Sequence, residues 1–372
     1  MIFASVLNNA IDRSSLVKRM ETANLDALFH GKKLEVSKDI LVVLITDDDY
    51  NSPDFNGASP LNPASLIKII EAILRCDPKV LGVDFDTSAW TNKQIDTHGV
   101  PIVWAREALG EPGNLTLGKA LGGSEDICSG VPAYFPDDDG FVREYKEFIA
   151  GAGGQYYPSL ALNLAEVYKS PKGGEACRHQ TAQLGKNDSV ESQLINFAGQ
   201  NYAFDHLSSG ALEQLGNSES WLASNPLKGK IVLLGGSYHS ARDAYPTPFG
   251  YLDGVDIIAN TVQSRLPGSE LNHEPQWLTI FGYLEGVILL AGLYFVPKTW
   301  SLLITMLTGP IYALAINWLA FQWAGAFISF VPCLVGIFVY QVIAHAKAYR
   351  KLLRENQELQ RQVQELRQEA SK

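Results

Sequence analysis

Aspartates stand directly after two apolar runs of the chain, where many enzymes hold a metal ion or a general base. In "VVLITDDDY" four apolar residues lead to Asp47, Asp48 and Asp49, and "KVLGVDFD" contains Asp84 and Asp86. A third run, "GKIVLLGGS", is followed by further polar residues. Ligands of open α/β sheets usually bind beyond the carboxyl ends of the strands. The candidates for a polar ligand or cation pocket are therefore Asp47, Asp48, Asp84, Asp86, Ser237 and Asp243.

Three roles are open for these residues. Asp and Ser after a strand often cap turns and helices, and this role is preferred to a sensing pocket. The catalytic alternative is an extracytoplasmic cation-dependent enzyme that uses Asp47, Asp84 and Asp243. Ser237 and His239 do not form the elbow motif of serine hydrolases, and a two-metal hydrolase would require further ligands. We expect no enzyme and no metal site, because no nucleophile–base constellation and no zinc spacing occurs. We expect no cofactor either, because GxGxxG and a Walker loop are both absent.

Strand and helix patterns alternate through the first part of the chain. Apolar runs predict strands, and a helix with one apolar stripe between two of them indicates a right-handed βαβ unit with parallel strands. The predicted strands are Ile40–Thr46, Lys79–Asp86, the segment "VPIVWA" near residue 102 and Gly229–Ser237, and the predicted helices are Asn62–Cys76 and Gly254–Leu266. The fold class is α/β: a Rossmann-like layered domain over residues 1–276, with an insertion between residues 110 and 225.

Three long apolar segments follow this domain, over residues 277–344. Each has about the 20 residues that a helix needs to cross the hydrocarbon of a bilayer. Basic residues are enriched on the cytoplasmic side of membrane proteins, so Lys298 and the basic residues after the third segment predict a cytoplasmic C-terminus. Residues 1–276 are then expected on the other side of the plasma or inner membrane, outside the cytoplasm. The apolar N-terminal stretch is too short to span, so we expect a further membrane helix upstream. The predicted spans, in contact with membrane lipid, are Trp277–Val296, Trp300–Phe321 and Gly325–Ala344.

The tail, residues 345–372, has a heptad pattern. Apolar positions recur at alternating steps of three and four, with an Asn at one a position, which favours a parallel two-stranded coiled coil. The same phase extends back into the third predicted span, so span and tail are expected to form one rod. The residues predicted to hold a homodimer together are Leu352, Asn356, Leu359, Val363 and Leu366.

Charge and cysteine content narrow the possible partners. The formal net charge of −10 argues against nucleic acid as a partner. No CxxC pair and no zinc spacing occurs. Cys128 and Cys177 lie in polar, loop-like sequence; they could pair if the domain lies outside the cytoplasm, but two free thiols are the preferred interpretation.

The ordered motifs resemble those of a known family. "VVLITDDDY", "PKVLGVDFD", the DxDGxxR segment in "PDDDGFVREY" and the block Leu227–Gln263 resemble the second type of CHASE domain, an extracellular sensory domain associated with cyclases and histidine kinases. The resemblance implies reception of an unidentified stimulus and supplies no catalytic residues. Arg143, from the DxDGxxR segment, joins the candidate ligand-binding residues.

The family resemblance favours a receptor subunit. An extracytoplasmic ligand or binding protein would be sensed outside, and the output would come from a cytoplasmic partner or from an output domain that this chain lacks. The sequence departs from the family pattern at "SPLNPAS", before the first long helix. A structural membrane organiser without any ligand remains an alternative from a different class.

Overall fold

The chain forms two compact units. In a computed structural model they comprise Lys33–Leu271 and, grouped together, Met1–Lys32 with Asn272–Lys372. The structure describes residues 15–32, 35–90, 95–110, 115–120, 127–185, 190–200, 202–215, 224–269, 271–273, 314–315, 317–323, 325–327 and 331–369.

Strands and helices are numbered along the chain. The strands of the first unit are β1 (Ile40–Ile45), β2 (Val80–Val83), β3 (Ile102–Ala105), β4 (Ala108–Leu109), β5 (Thr116–Leu117), β6 (Ser129–Gly130), β7 (Tyr134–Pro136), β8 (Val142–Lys146), β9 (Phe148–Ala150), β10 (Tyr156–Pro158), β11 (Ser192–Leu194), β12 (Asp205–Ser208), β13 (Ile231–Gly236), β14 (Ala244–Thr247) and β15 (Gly250–Asp253). The helix α1 (Ser15–Gly31) belongs to the second unit. The helices of the first unit are α2 (Asp47–Tyr50), α3 (Pro63–Leu74), α4 (Leu160–Lys169), α5 (Ser209–Leu215) and α6 (Gly254–Ser264).

The core of the first unit is a parallel six-stranded sheet in the order β12-β1-β13-β2-β3-β6. All six residues of β1 are buried, and they alternate between two apolar clusters. Leu41, Val43 and Ile45 pack on one face with residues of α3 and α5. The other face contacts α4 and α6. Helices on both faces make the strands continuous apolar runs, as expected for a parallel sheet.

Helix α3 illustrates how local sequence determines an element. The side chain of Asn62 accepts a hydrogen bond from the backbone N–H of Ala64 (3.0 Å), and Pro63 occupies the first turn. An amide cap followed by proline is a typical helix start. The predicted apolar stripe is buried against the sheet, through Leu66, Ile69, Ile70, Ile73 and Leu74.

The predicted α/β class with a parallel sheet is confirmed, with two differences. β1 and β2 are parallel, but β13 lies between them, although it comes about 150 residues after β2. The segment between residues 110 and 225 is not a separate insertion. It supplies both edge strands, β6 and β12, and the helix α4 that packs on one face.

Smaller antiparallel elements surround the sheet. One sheet has the order β11-β8-β7, and β9–β10, β4–β5 and β14–β15 form two-stranded pairs. β14 contacts β8, and Tyr245 of β14 packs edge-on against Tyr134 of β7, with ring centroids 5.3 Å apart. These contacts bring β14 and the three-stranded sheet beside each other.

The expectation of two free thiols at Cys128 and Cys177 is wrong. The two residues form a disulfide with their Cα atoms 5.7 Å apart. Cys128 directly precedes β6, and Cys177 follows α4, so the bond ties the edge of the sheet to the segment after the helix that covers it. A separation of 49 residues in the sequence gives no local sign of this pairing.

The second unit contains α1 and a long helix, α7 (Val331–Glu369), together with the parallel pair β16 (Asn272–His273) and β17 (Ala326–Phe327). Phe29 of α1 packs edge-on against Phe321. α7 is a single helix of 39 residues. The predicted continuity of the third span with the tail therefore holds from Val331 onwards, whereas Ala326–Phe327, near the start of that predicted span, form the strand β17.

The predicted spans are mostly outside the described residues. Trp277–Val296 lies entirely outside them, and so does most of Trp300–Phe321, whereas Gly325–Ala344 overlaps α7. In the parts of the chain that the structure describes, no helix is long and apolar enough to cross a membrane.

Removing the disulfide tests the link between the sheet edge and α4. We expect Cys128→Ser with Cys177→Ser to lower the free energy of unfolding by about 3–4 kcal/mol, because the unfolded chain loses a covalent loop of this length. Urea unfolding of the variant and the parent measures the difference. Free-thiol labelling of the unfolded, unreduced parent at both cysteines would contradict the assignment.

Candidate functional site

Two carboxyl groups meet at the carboxyl edge of the sheet. Asp84 follows β2, where its backbone N–H donates to the carbonyl of Leu234 (2.9 Å), and Asp243 precedes β14. Burial raises the pKa of Asp84 to about 7, and the negative charge of Asp243 adds to this rise. Burial also raises the pKa of Asp243. Two neighbouring carboxyl groups with raised pKa values are typical of functional sites.

Two tyrosines complete this group. The hydroxyl of Tyr245 forms a hydrogen bond with Asp243, which opposes the rise in the pKa of that carboxyl group. Tyr134 in turn forms a hydrogen bond with Tyr245, and burial followed by the charge of Asp84 raises its pKa. Hydrogen bonding thus connects Tyr134, Tyr245 and Asp243, while the charge of Asp84 acts on both tyrosines. The arrangement can accept a cationic or hydrogen-bond-donating group.

Gly254, the first residue of α6, allows Asp243 to approach. The backbone N–H of Gly254 donates to the carbonyl of Asp243 (2.7 Å). A Cβ atom at this position would collide with the Asp243 carboxylate. A glycine here therefore permits the carboxylate to lie against the N-terminus of a helix, where the helix dipole favours negative charge.

Asp47 takes part in a separate pair with His239. The backbone N–H of His239 donates to Asp47 Oδ1 (2.9 Å), and its ring Nδ1 lies 2.5 Å from Asp47 Oδ2. The hydrogen bond with His239 lowers the pKa of Asp47, and the same contact raises the pKa of the histidine. Because the His239 side chain is 95% exposed, solvent screens the pair.

The other predicted residues of this edge serve mainly local structure. Asp48 is exposed, and Asp86 is exposed and accepts a hydrogen bond from the backbone N–H of Ser88 (2.8 Å), as in a turn. Asp49, with Thr46, closes a capping box at the start of α2. The backbone N–H of Ser237 donates to Ile45 (3.0 Å). The preferred role of the acidic run as a turn-forming cap thus fits Asp49.

Arg143 lies in the three-stranded sheet. Its side chain is 2% exposed and binds the carboxylates of Asp137 (2.8 Å) and Asp139 (2.9 Å). Gly140, with φ of +85°, allows the turn between them. The DxDGxxR segment therefore forms the turn of the β7–β8 hairpin, in which a buried arginine pairs with two carboxylates that are 29% and 41% exposed. A role for Arg143 in ligand binding stays a prediction.

A further buried pair links the edge strand β12 to α6. His206 Nδ1 lies 2.7 Å from the carbonyl of Phe204, and its Nε2 lies 2.8 Å from Asp256 Oδ1. Burial lowers the pKa of His206, but the hydrogen bond and charge of Asp256 outweigh this, so the net pKa is raised. Since a carbonyl only accepts, Nδ1 donates to it, and the second contact holds a proton between His206 and Asp256.

The geometry separates the residues proposed for a cation-dependent enzyme. Asp84 and Asp243 lie together, whereas Asp47 pairs with His239. Over the residues whose structure is described, no group of three or more His, Cys, Asp or Glu side chains could hold a metal ion.

The sequence did not identify several members of these groups. Tyr134 and Tyr245 come from strands far apart in the chain, and nothing in their local sequence links them to Asp84. The pairing of His206 with Asp256 spans 50 residues. The one available signal was local: Asp137 and Asp139 precede Arg143 in the DxDGxxR segment.

Asp84→Asn tests whether ionisation of the Asp84 carboxyl group destabilises the fold. A carboxyl group whose folded pKa is raised from 3.8 to about 7 stabilises the fold fully below pH 3.8, and this stabilisation is lost as the pH rises to about 7. The amide does not ionise, so we expect the variant to be more stable than the parent at pH 8 by about 4 kcal/mol, and its stability to decline less between pH 4 and 7.

Urea unfolding at pH 5 and pH 8 measures this difference. Asp86→Asn, two residues further on at an exposed position, is the matched control and should change little. Equal pH profiles for Asp84→Asn and the parent would contradict the assignment of a raised pKa to Asp84.

Comparisons with known proteins place the chain in a family. The family model of the CHASE2 domain matches residues 2–297, well over half of the 372-residue chain. Comparisons with curated proteins and with solved structures found no match. The match includes the whole parallel sheet and the Asp84–Asp243 group described above. The chain therefore belongs to the CHASE2 domain family, a family of extracellular sensory domains.

Proposed function

We propose that this protein is a membrane-anchored receptor whose sheet domain senses a stimulus outside the cytoplasm. Residues 1–276 are proposed to be extracytoplasmic, residues 277–344 to cross the plasma or inner membrane three times, and residues 345–372 to form a cytoplasmic dimeric coil. The signal would pass to a cytoplasmic output protein or output domain. The proposed role is reception rather than catalysis.

The observation that carries this proposal is the match of the CHASE2 family over residues 2–297. A sensory domain needs an element that converts binding into a change of state. In the proposed arrangement, that element is the helical part that follows the domain. A stimulus acts only when it binds two states with different affinities.

The disulfide supports the extracytoplasmic location. Bonds of this kind persist in oxidising compartments and are rare in the cytosol. The Cys128–Cys177 bond joins two parts of the sheet domain and lies against its apolar core, since Cys177 is 9% exposed. A structural bond of this type is expected in a domain that works outside the cytoplasm.

The Asp84–Asp243 group supports a reception site. Both carboxyl groups have raised pKa values, so ionising them is unfavourable unless a positive group approaches. A bound cation or ammonium group would lower those pKa values and release protons. Binding of a cationic ligand at the proposed site would therefore make the Asp84 and Asp243 carboxyl groups more negatively charged.

The tail supports a dimer. Helix α7 is about 58 Å long at 1.5 Å per residue, and its heptad seam is exposed at Leu352 (62%), Leu359 (57%), Val363 (46%) and Leu366 (65%). A helix that exposes one apolar stripe gains stability when a second helix covers it. A parallel partner helix from a second copy matches Asn356 and the β-branched Val363 at the a positions.

Cysteine crosslinking tests the dimer. We expect Leu359→Cys and Leu366→Cys, at d positions, to form intersubunit disulfides efficiently in the full-length protein in membranes, because paired d positions face each other. Non-reducing gels measure the crosslinked fraction. Arg361→Cys, at an outer position of the same helix, is the control and should crosslink poorly, as should the parent with its native cysteines. Equal crosslinking at positions 359 and 361 would refute the seam.

The topology is tested by labelling with a membrane-impermeant thiol reagent. Lys172→Cys lies at an exposed position of the sheet domain, and Glu358→Cys lies at an exposed position of α7. In spheroplasts we expect position 172 to be labelled directly and position 358 only after permeabilisation, because the membrane separates them. Labelling of both positions without permeabilisation, or the reverse pattern, would overturn the proposed orientation.

A further inference from the structure

A cleft of about 310 Å³ opens beside the ends of β1 and β12, apart from the Asp84–Asp243 group. α2 begins directly after β1, and α5 directly after β12, so both helices place residues at its rim. Its size is near the lower limit of small-molecule sites. The lining residues that matter for its chemistry are Asp49, Asp54, Phe55, Lys68, Ile69 and Ser209.

Ser209 supplies a hydroxyl group to this cleft. The residue is 2% exposed, and across the described residues its hydroxyl group makes no hydrogen bond. The neighbouring hydroxyl of Ser208 acts as the cap of α5 instead, because it accepts a hydrogen bond from the backbone N–H of Ala211 (3.1 Å). The oxygen of this hydroxyl group is not fully enclosed by the protein. It is therefore open to the cleft, where water or a polar group of a ligand can bind it.

The cleft presents charges of both signs, from Asp49, Asp54 and Lys68. Lys68 Nζ lies 4.0 Å from Asp54 Oδ1, and the two side chains are 62% and 53% exposed. Such a loose, solvated ion pair is weak and opens readily. Asp49 is already occupied, since its carboxylate accepts hydrogen bonds from the backbone N–H groups of Thr46 (3.0 Å) and Gly210 (3.1 Å). One positive and one negative group thus remain for a ligand.

An apolar surface accompanies these polar groups. Phe55 and Ile69 line the cleft and are 3% and 5% exposed. Both side chains are packed in the core, so only a small apolar area faces the cleft, and a short apolar chain of a ligand is enough to cover it. The carboxylates of Asp49 and Asp54 would repel an isolated anion, and Lys68 would repel an isolated cation.

We propose that this cleft binds a small zwitterion with an apolar side chain, an α-amino acid. Its carboxylate pairs with Lys68, its ammonium group pairs with Asp54, and Ser209 donates or accepts a hydrogen bond. The side chain lies on Phe55 and Ile69. The site is distinct from the Asp84–Asp243 group, and its existence does not depend on the proposed membrane relay.

Calorimetric titration of the full-length protein in detergent tests this site. The probes are alanine, valine, leucine, methionine and phenylalanine, with two analogues of leucine: 3-methylbutylamine, which lacks the carboxylate, and 4-methylpentanoate, which lacks the ammonium group. We expect at least one amino acid to bind and both analogues to bind at least tenfold more weakly, because each loses one charge-assisted contact.

Variants locate the binding. Lys68→Gln and Asp54→Asn should each weaken amino-acid binding about tenfold, and Ser209→Ala by a smaller factor, because the first two remove a charged partner and the third a neutral one. Lys228 and Asp77 form an equally loose and exposed pair elsewhere (3.8 Å; 69% and 70% exposed). Lys228→Gln and Asp77→Asn are therefore the matched controls and should leave affinity unchanged.

Two results would overturn the proposal: no binding of any of the five amino acids, or binding that Lys68→Gln and Asp54→Asn leave unchanged. Equal binding of leucine and its analogues would exclude a zwitterion site. The dimer and orientation experiments read out different properties, so failure here and failure of the receptor proposal are distinguishable.

Discussion

The sheet domain depends on the burial of its strands on both faces. Every residue of β1 is buried, with alternate side chains in the two clusters on either side of the sheet. Polar side chains therefore have no place along the central strands and occur where the strands end. Because the strands are parallel, their carboxyl ends share one edge. This constraint brings Asp47, Asp84 and Ser237 to the same edge from three distant parts of the chain.

Two carboxyl groups at the carboxyl edge of the sheet lower the stability of the domain when they ionise. Asp84 and Asp243 keep raised pKa values, and among the residues that the structure describes neither has a basic partner of the kind that His239 provides for Asp47. A fold selected for stability alone would gain from an amide at position 84. Arrangements that destabilise a domain locally are commonly associated with function. Asp47 and Asp84 both come at the end of a central strand. Asp47 forms a solvated pair with His239, whereas Asp84 lies beside a second carboxyl group, which makes its ionisation unfavourable.

Local sequence was sufficient for the elements but not for their order. The apolar runs predicted β1, β2 and β13, and Asn62, Pro63 and the apolar stripe predicted α3, because these signals act within a few residues. The place of β13 between β1 and β2 depends on long-range pairing. The disulfide joins residues 49 apart, and His239 reaches Asp47 across 192 residues. The sequence therefore predicted individual site residues at strand ends, but it did not predict which residues from distant parts of the chain they contact.

The two outer strands of the sheet have a consequence for self-association. β6 has two residues and lies next to the crosslinked Cys128, and β12 has four residues. Asp205, at the start of β12, is exposed and lies 3.4 Å from Lys230 Nζ. Short, charged or covalently restrained edges offer few free backbone groups for another strand to pair with. Amyloid-like growth from this sheet is thereby disfavoured, and ordered assembly is left to surfaces formed by side chains.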